Sequence, residues 1–341
     1  MKLIISTDDL INTSILVRNS THFSASASDM IIALSLFMSS IVGTITNGLY
    51  LWVLKFKMKK TVNTLWFFHL IFSYFISILT LPFLGIYYLQ DHYWIFGTAL
   101  CKVFNSTLSL GMFASVFFLS VISLDRYLLT LHPVWSQKHR NPRFASNIIL
   151  GVWISATALS SPYLVFRETH HDQNGKVTCR NNYAVSANWE SEEMQTLRRR
   201  IHATCFISRF LLGFLLPFFI IIFCYKRVAS KMKERSLYKS RKPFKVMMTA
   251  IISFFVCWMP YHIHQGLTLT TTNQSLLLDL SLIVTVVTSS FNSVFSPTLY
   301  LFIGENFKKV FKKSIFALFE SAFSDDSSAG KTQNLNSQVE I

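Results

Sequence analysis

A chain of 341 residues that is 51% hydrophobic and only 14% charged, with 32 phenylalanines, reads as a membrane protein. Its formal net charge of +15 would suggest a nucleic-acid partner in a soluble protein. Here the basic residues stand beside long apolar runs, where anionic lipid explains them and no nucleic acid is required.

Residues 1–29 are polar and carry two sequons, at Asn12 and Asn19, so a glycosylated tail is expected. They lack the basic start, apolar stretch and small-residue cleavage site of a signal peptide, so the first span is expected to act as its own insertion signal. Seven apolar runs follow, at about 30–54, 64–89, 98–123, 145–166, 203–225, 246–268 and 276–303, each near the 20 residues a crossing needs. The segments after the first, third and fifth runs, with the tail, hold 22 of the 32 Lys and Arg but seven of the 17 acidic residues. That face is expected to be cytoplasmic, which puts the N-terminus outside the cell.

Between the fourth and fifth runs lies a long outer segment, 167–200, with Cys179 in it and Asn174-Gly175 set for a two-residue type I′ turn. A β-hairpin is expected there. Cys101 opens the third run on the same oxidising side, while Cys205, Cys224 and Cys257 sit inside runs. A Cys101–Cys179 bridge is therefore the expected disulfide. The segment from Arg227 to Lys245 is short and basic. Residues 306–319 place Phe307, Val310, Phe311, Ile315 and Leu318 against Lys308, Lys309, Lys312 and Lys313, the pattern of an amphipathic helix lying on lipid. Beyond it the Ser-rich end of the chain reads as a disordered tail, with Ser324, Ser327 and Ser328 as candidate phosphorylation sites.

The expected fold is thus all-α: a seven-transmembrane helix bundle over 30–303, an amphipathic eighth helix over 304–320, a tail over 321–341 and an extracellular β-hairpin. Internal repeats, a pore filter and an enzyme constellation are absent from the sequence, which argues against a transporter, a channel or an enzyme. His262 and His264 are two apart and cannot share a helix face, so no metal site and no cofactor are expected.

Short motifs at particular run ends carry a resemblance. Asp125-Arg126-Tyr127 at the inner end of the third run, Asn47, Trp153, Pro217 with Tyr225, Phe254-x-x-Cys257-Trp258-x-Pro260-Tyr261 and Ser296-Pro297-Thr298-Leu299-Tyr300 together resemble the signature of rhodopsin-like G-protein-coupled receptors. Trp94-x-Phe96-Gly97, Thr61-Val62-Asn63-Thr64 and Arg209 are similar to the chemoattractant group within it.

The resemblance implies a plasma-membrane receptor that takes an extracellular peptide or carboxylate-bearing ligand. It would activate a heterotrimeric G protein of the inhibitory class, with arrestin as a further partner. It also implies an activation switch in which Asp125 holds Arg126 at rest and Arg126 moves towards Tyr225 and Tyr300 on activation. Trp258, Pro260 and Pro297 would then serve as hinge elements; packing alone is the other reading of Trp258. Arg209 would meet a ligand carboxylate, since a guanidinium inside a span needs an anion or carbonyl partner. Asn105, Met112, Phe113, Tyr261, Gln265 and Leu282 would line the pocket around it.

Two positions depart from the family pattern. Tyr74 stands where a sodium-binding Asp is usual, and Ser296 stands for Asn. They leave a non-signalling decoy or scavenger as the alternative, with a lipid-mediator receptor as the nearest rival inside the family.

Overall fold

The computed structural model describes residues 26–173, 175–183, 192–234, 241–270, 276–300, 309–314 and 316, with the backbone alone at 241–247, 250 and 296–300. Helix α1 (Ala27–Trp52) begins where the Ser26 hydroxyl accepts the Asp29 amide, three residues ahead of the expected start. It runs into a π-helical turn, Val53–Lys57, whose Lys55 and Lys57 suit the negative end of the helix dipole. A reciprocal Thr61–Thr64 capping box opens α2 (Val62–Ile78).

The expected second run is broken at Leu79 and Thr80. It resumes as α3 (Leu81–Leu89), with Pro82 in the first turn, where its missing N–H leaves no bond unmade. Helix α4 (Gly97–Leu131) is the longest at 35 residues. A short α5 (Pro133–His139) links it to α6 (Pro142–Phe166), which Asn141 caps through the Phe144 amide.

Strands β1 (Arg167–His171) and β2 (Val177–Asn181) form an antiparallel pair with Thr169 opposite Cys179 and His171 opposite Val177. The turn differs from the expected two-residue type I′. The Asp172 amide donates to the Lys176 carbonyl and the Gly175 amide to the Asp172 carbonyl, with Gly175 at φ +77°. That is a three-residue connection closed by a left-handed glycine; the poor alternation of the flanking residues did not pin the shorter register.

Helix α7 (Glu192–Phe210), a π-helical turn (Leu211–Leu215) and α8 (Leu216–Glu234) follow one another directly. The wide turn falls just ahead of Pro217, which has no N–H to give to the preceding turn. Helices α9 (Arg241–Thr270), with Pro260 inside it, and α10 (Leu276–Tyr300) complete the bundle. Of the expected eighth helix, 309–314 and 316 are helical among the described residues, and Phe311 packs on Tyr50 of α1 with ring centroids 5.1 Å apart.

Among the described residues, six of the rods are long and apolar enough to cross a membrane by length and composition. Helix α9 carries an apolar stretch of its own, 246–263, without a Lys, Arg, Asp or Glu. Its 30 residues still reach about 45 Å, more than a hydrocarbon core.

The core lies along α4, where Phe113, Val116 and Phe118 are fully buried among Leu70, Ile78 and Phe254. Large apolar side chains face outward instead, among them Leu34 and Ile45 on α1, Leu150 and Ile154 on α6, and Phe219 on α8. Such an outer surface suits lipid, which is as apolar as the side chains themselves.

Helices α4 and α2 meet at Gly111. A methyl there would run into the Ser77 hydroxyl and lie 2.7 Å from the Ser73 carbonyl oxygen, which as backbone cannot swing away. Gly111→Ala is therefore expected to destabilise the purified protein by about 1–3 kcal/mol, read as a lower Tm, despite alanine's better helix propensity.

Candidate functional site

Three places along the bundle bring functional side chains together. At one end, Cys101 at the start of α4 is bonded to Cys179 of β2, with Cα atoms 5.8 Å apart. The bridge is packed against Trp94, whose amide donates to the Val177 carbonyl at 2.7 Å and whose indole N–H donates to the Gly97 carbonyl at 2.8 Å. The hairpin is thereby tied to both the turn before α4 and α4 itself. Asn105, one turn further along α4, donates to the Cys101 carbonyl and lies 3.5 Å from the Cys179 sulfur.

Below the hairpin, Arg209 at the end of α7 is buried at 5% exposure. Its Nη1 donates to the Tyr163 hydroxyl at 2.7 Å, and the guanidinium lies 4.5 Å from the centroid of the same ring. The Tyr163 and Tyr261 hydroxyls are 3.0 Å apart, which joins α6 to α9. Tyr183 approaches from the segment after β2: burial pushes its phenol above the ordinary range, against the pull of the Arg209 charge, and its ring stacks on His202 at 4.8 Å.

The guanidinium thus meets phenols and a π face rather than an anion. No carboxylate bonds it among the described residues, and its Nε has no hydrogen-bond partner there. A guanidinium keeps its charge in such surroundings, so the cluster holds a buried positive charge.

Of the other expected pocket residues, Gln265 on α9 and Leu282 on α10 are half-buried. Phe113 is fully buried in the core and packs into the space left by Gly213, where a methyl would meet its ring edge.

Midway along the bundle is a cavity of about 40 Å³, room for a water or two. Tyr74, Met112, Trp258 and the hydroxyls of Ser115, Ser289 and Ser293 line it, with no carboxylate among its lining residues. Trp258 also packs edge-on against Tyr261, 5.6 Å between centroids, and so links the cavity to the Arg209 cluster. Across the bundle, the Asn47 amide donates to the Ser293 carbonyl of α10 at 3.2 Å.

At the opposite end, the expected Asp125–Arg126 hold is replaced. Both oxygens of Asp125 accept from Arg140, at 2.7 Å from Nε and 3.1 Å from Nη2. Arg126 instead reaches Asn63 at 3.4 Å, with its Nε unpartnered among the described residues, and Arg140 donates to the same Asn63 oxygen at 2.6 Å. Consecutive residues on a helix point about 100° apart, so the Asp125 side chain faces the α5–α6 connection rather than its neighbour.

Tyr225 is buried against Ser123 and Arg126, and Tyr127 packs on Phe223. The backbone of α10 carries Pro297 and Tyr300 at its end. Asn12 and Asn19 lie outside the described residues. The sequence reading missed Tyr163, Asn63 and Arg140, because each acts through a partner on another helix.

The family model described as 7 transmembrane receptor (rhodopsin family) matches residues 46–300. The chain belongs to that family: it is a rhodopsin-type, class A G-protein-coupled receptor, a signalling receptor and not an enzyme. It is 79% identical over 333 residues to "Probable G-protein coupled receptor 33" of Pan troglodytes, covering 98% of this chain and 100% of that protein. It is 65% identical over 341 residues to the Mus musculus protein of the same description, with both chains fully covered. "Chemerin-like receptor 1" of Mus musculus is 42% identical over 291 residues, 84% of this chain and 78% of that protein. A multi-pass membrane receptor that takes an extracellular ligand and engages a heterotrimeric G protein follows from the family.

Proposed function

We propose that this receptor sits in the plasma membrane with its N-terminus and hairpin outside. It binds a peptide or other carboxylate-bearing ligand of the chemoattractant type and signals through a G protein of the inhibitory class. The observation that carries the reading is Arg209: a buried cation held only by phenols, with an Nε lacking a partner among the described residues. A ligand carboxylate entering beneath the hairpin would meet a bidentate donor already stripped of water. Asn105, Tyr261, Gln265 and Leu282 would line its path, and Met112 with Phe113 its floor. Relatedness to Chemerin-like receptor 1 supports the ligand class.

Ligand entry would press on Tyr261 and through it on Trp258. Pro260 then lets the other half of α9 swing outward, freeing Arg126 towards Tyr225 and Tyr300. The basic helix around 309–314 would lie on anionic lipid, and the serines of the tail would recruit arrestin once phosphorylated. Glycans at Asn12 and Asn19 belong to the same orientation.

The test is a screen of peptides with free C-terminal carboxylates against the receptor reconstituted with an inhibitory-class G protein. Active peptides are expected to bind Arg209→Ala at least about tenfold more weakly, and to bind Arg126→Ala without driving nucleotide exchange. Equal potency on Arg209→Ala would overturn the carboxylate reading. Uptake of ligand without any exchange by the native chain would favour the decoy reading, which Tyr74 and Ser296 motivate.

A further inference from the structure

We infer that the chamber midway along the bundle takes water and rejects the sodium ion that the receptor family implies there, so that the resting state of this receptor is indifferent to sodium. A sodium ion in a dry interior needs hard oxygen ligands and a negative charge close by, because stripping its water costs more than neutral oxygens return. The chamber offers oxygens without that charge. Tyr74, Ser77, Ser115, Ser289, Ser290 and Ser293 supply its hydroxyls, and no carboxylate is among its lining residues.

Nor can a carboxylate reach it along the helices. Helices α2, α3, α6 and α9 contain no Asp or Glu. On α4, Asp125 stands ten residues beyond Ser115, and on α10 Asp279 stands ten residues before Ser289. Each is about 15 Å away along its helix axis. Asp125 also has both oxygens committed to Arg140. The other helical acids, Asp29, Glu192, Glu193 and Glu234, lie in first or last turns at the bundle ends. Tyr74 is 3% exposed and belongs to the core, so its ring takes up room beside the serines. About 40 Å³ is left, which suits one or two waters and not an ion with its hydration shell.

The hydrogen-bond inventory fits water as well. The Ser77 hydroxyl donates to the Ser73 carbonyl at 3.2 Å, Ser115 to Met112 at 2.9 Å and Ser289 to Thr285 at 2.7 Å. Their protons are spent within their own helices, and their lone pairs remain as acceptors. Trp258 supplies the complementary donor: its buried indole N–H has no partner among the described residues. A water can accept from that N–H and donate to two serine oxygens, about the three bonds of a typical buried water. A cation can use the serine oxygens but is repelled by the N–H.

The experiment uses the full chain purified in nanodiscs, with no ligand added. Thermal unfolding is followed by tryptophan fluorescence in NaCl, KCl and N-methylglucamine chloride at matched ionic strength. The native chain is expected to show the same Tm in all three, within about 1 °C. Tyr74→Asp puts a carboxylate beside the serine oxygens and is expected to gain a saturable rise in Tm of at least about 2 °C in NaCl over KCl. Ser115→Asp brings the charge in from α4 and serves where Tyr74→Asp folds poorly. A native chain stabilised by Na⁺ over K⁺ would overturn the proposal, and so would folded aspartate variants that both stay as indifferent to sodium as the native chain. With no ligand present, none of these outcomes bears on the role of Arg209.

Discussion

Serine at Cys179 is expected to remove a large share of the receptor's stability. The Cys101–Cys179 bridge closes a loop with a sequence separation of 78. In the chain-entropy view such a closure is worth about 4.5 kcal/mol, against a typical total of about 5–15 kcal/mol. The hairpin would keep its Trp94–Val177 hydrogen bond and the contact between the Thr98 and Thr169 hydroxyls, so the fold would loosen rather than vanish. A markedly lower Tm and a smaller surface population, measured with an antibody to an N-terminal tag, are the expected results. The double variant Cys101→Ser/Cys179→Ser should be no worse than either single, because one bond is lost in all three. A double variant as damaging as the two singles summed would show that each cysteine matters for something other than the bridge.

The second large effect is at the other end. Asp125 and Arg140 form a two-pronged ion pair, with side-chain exposures of only 10% and 21%. Breaking a mostly buried pair from one side leaves the other charge without compensation and commonly costs about 3–5 kcal/mol. Asp125→Asn and Arg140→Gln are therefore each expected to lower Tm. They should also raise basal nucleotide exchange on the G protein, since both release the α5–α6 connection and leave Arg126 free to leave Asn63. In a double-mutant cycle the two should couple by about 2 kcal/mol. Additive losses would mean that Asp125 serves Arg126 after all, and that the contact to Arg140 contributes nothing to the resting state.

Much of the fold was legible in the chain. Lipid imposes a strong rule: a crossing backbone must satisfy its own hydrogen bonds, so apolar runs near 20 residues become helices. The run at 98–123 starts within one residue of α4 and ends eight short of it, and the run at 276–303 matches α10 within three residues at each end. The disulfide was legible for a similar reason, because Cys179 lay outside the apolar runs and Cys101 at the outer opening of one, while the other three cysteines sat within runs. Less legible were the interruptions, since the break at Leu79–Thr80 and the π-helical turn at Leu211–Leu215 sit inside runs whose hydropathy is uniform, and the turn at Val53–Lys57 straddles the end of another. The hairpin's existence could be read from Asn174-Gly175, but its register could not, as the alternation beside it is weak.

Composition, run length and charge placement are properties of short stretches, and so the class of protein, its likeness to the rhodopsin-type receptors and the position of Arg209 and Arg126 were all readable before any fold was known. What each arginine touches was not. Arg209 meets Tyr163 from 46 residues away, and Asp125 meets Arg140 across the α5 turn instead of the Arg126 beside it. Side chains on a helix diverge by about 100° per residue, so the partner of a buried charge is chosen by which helix packs alongside, and that choice is made only when the bundle closes.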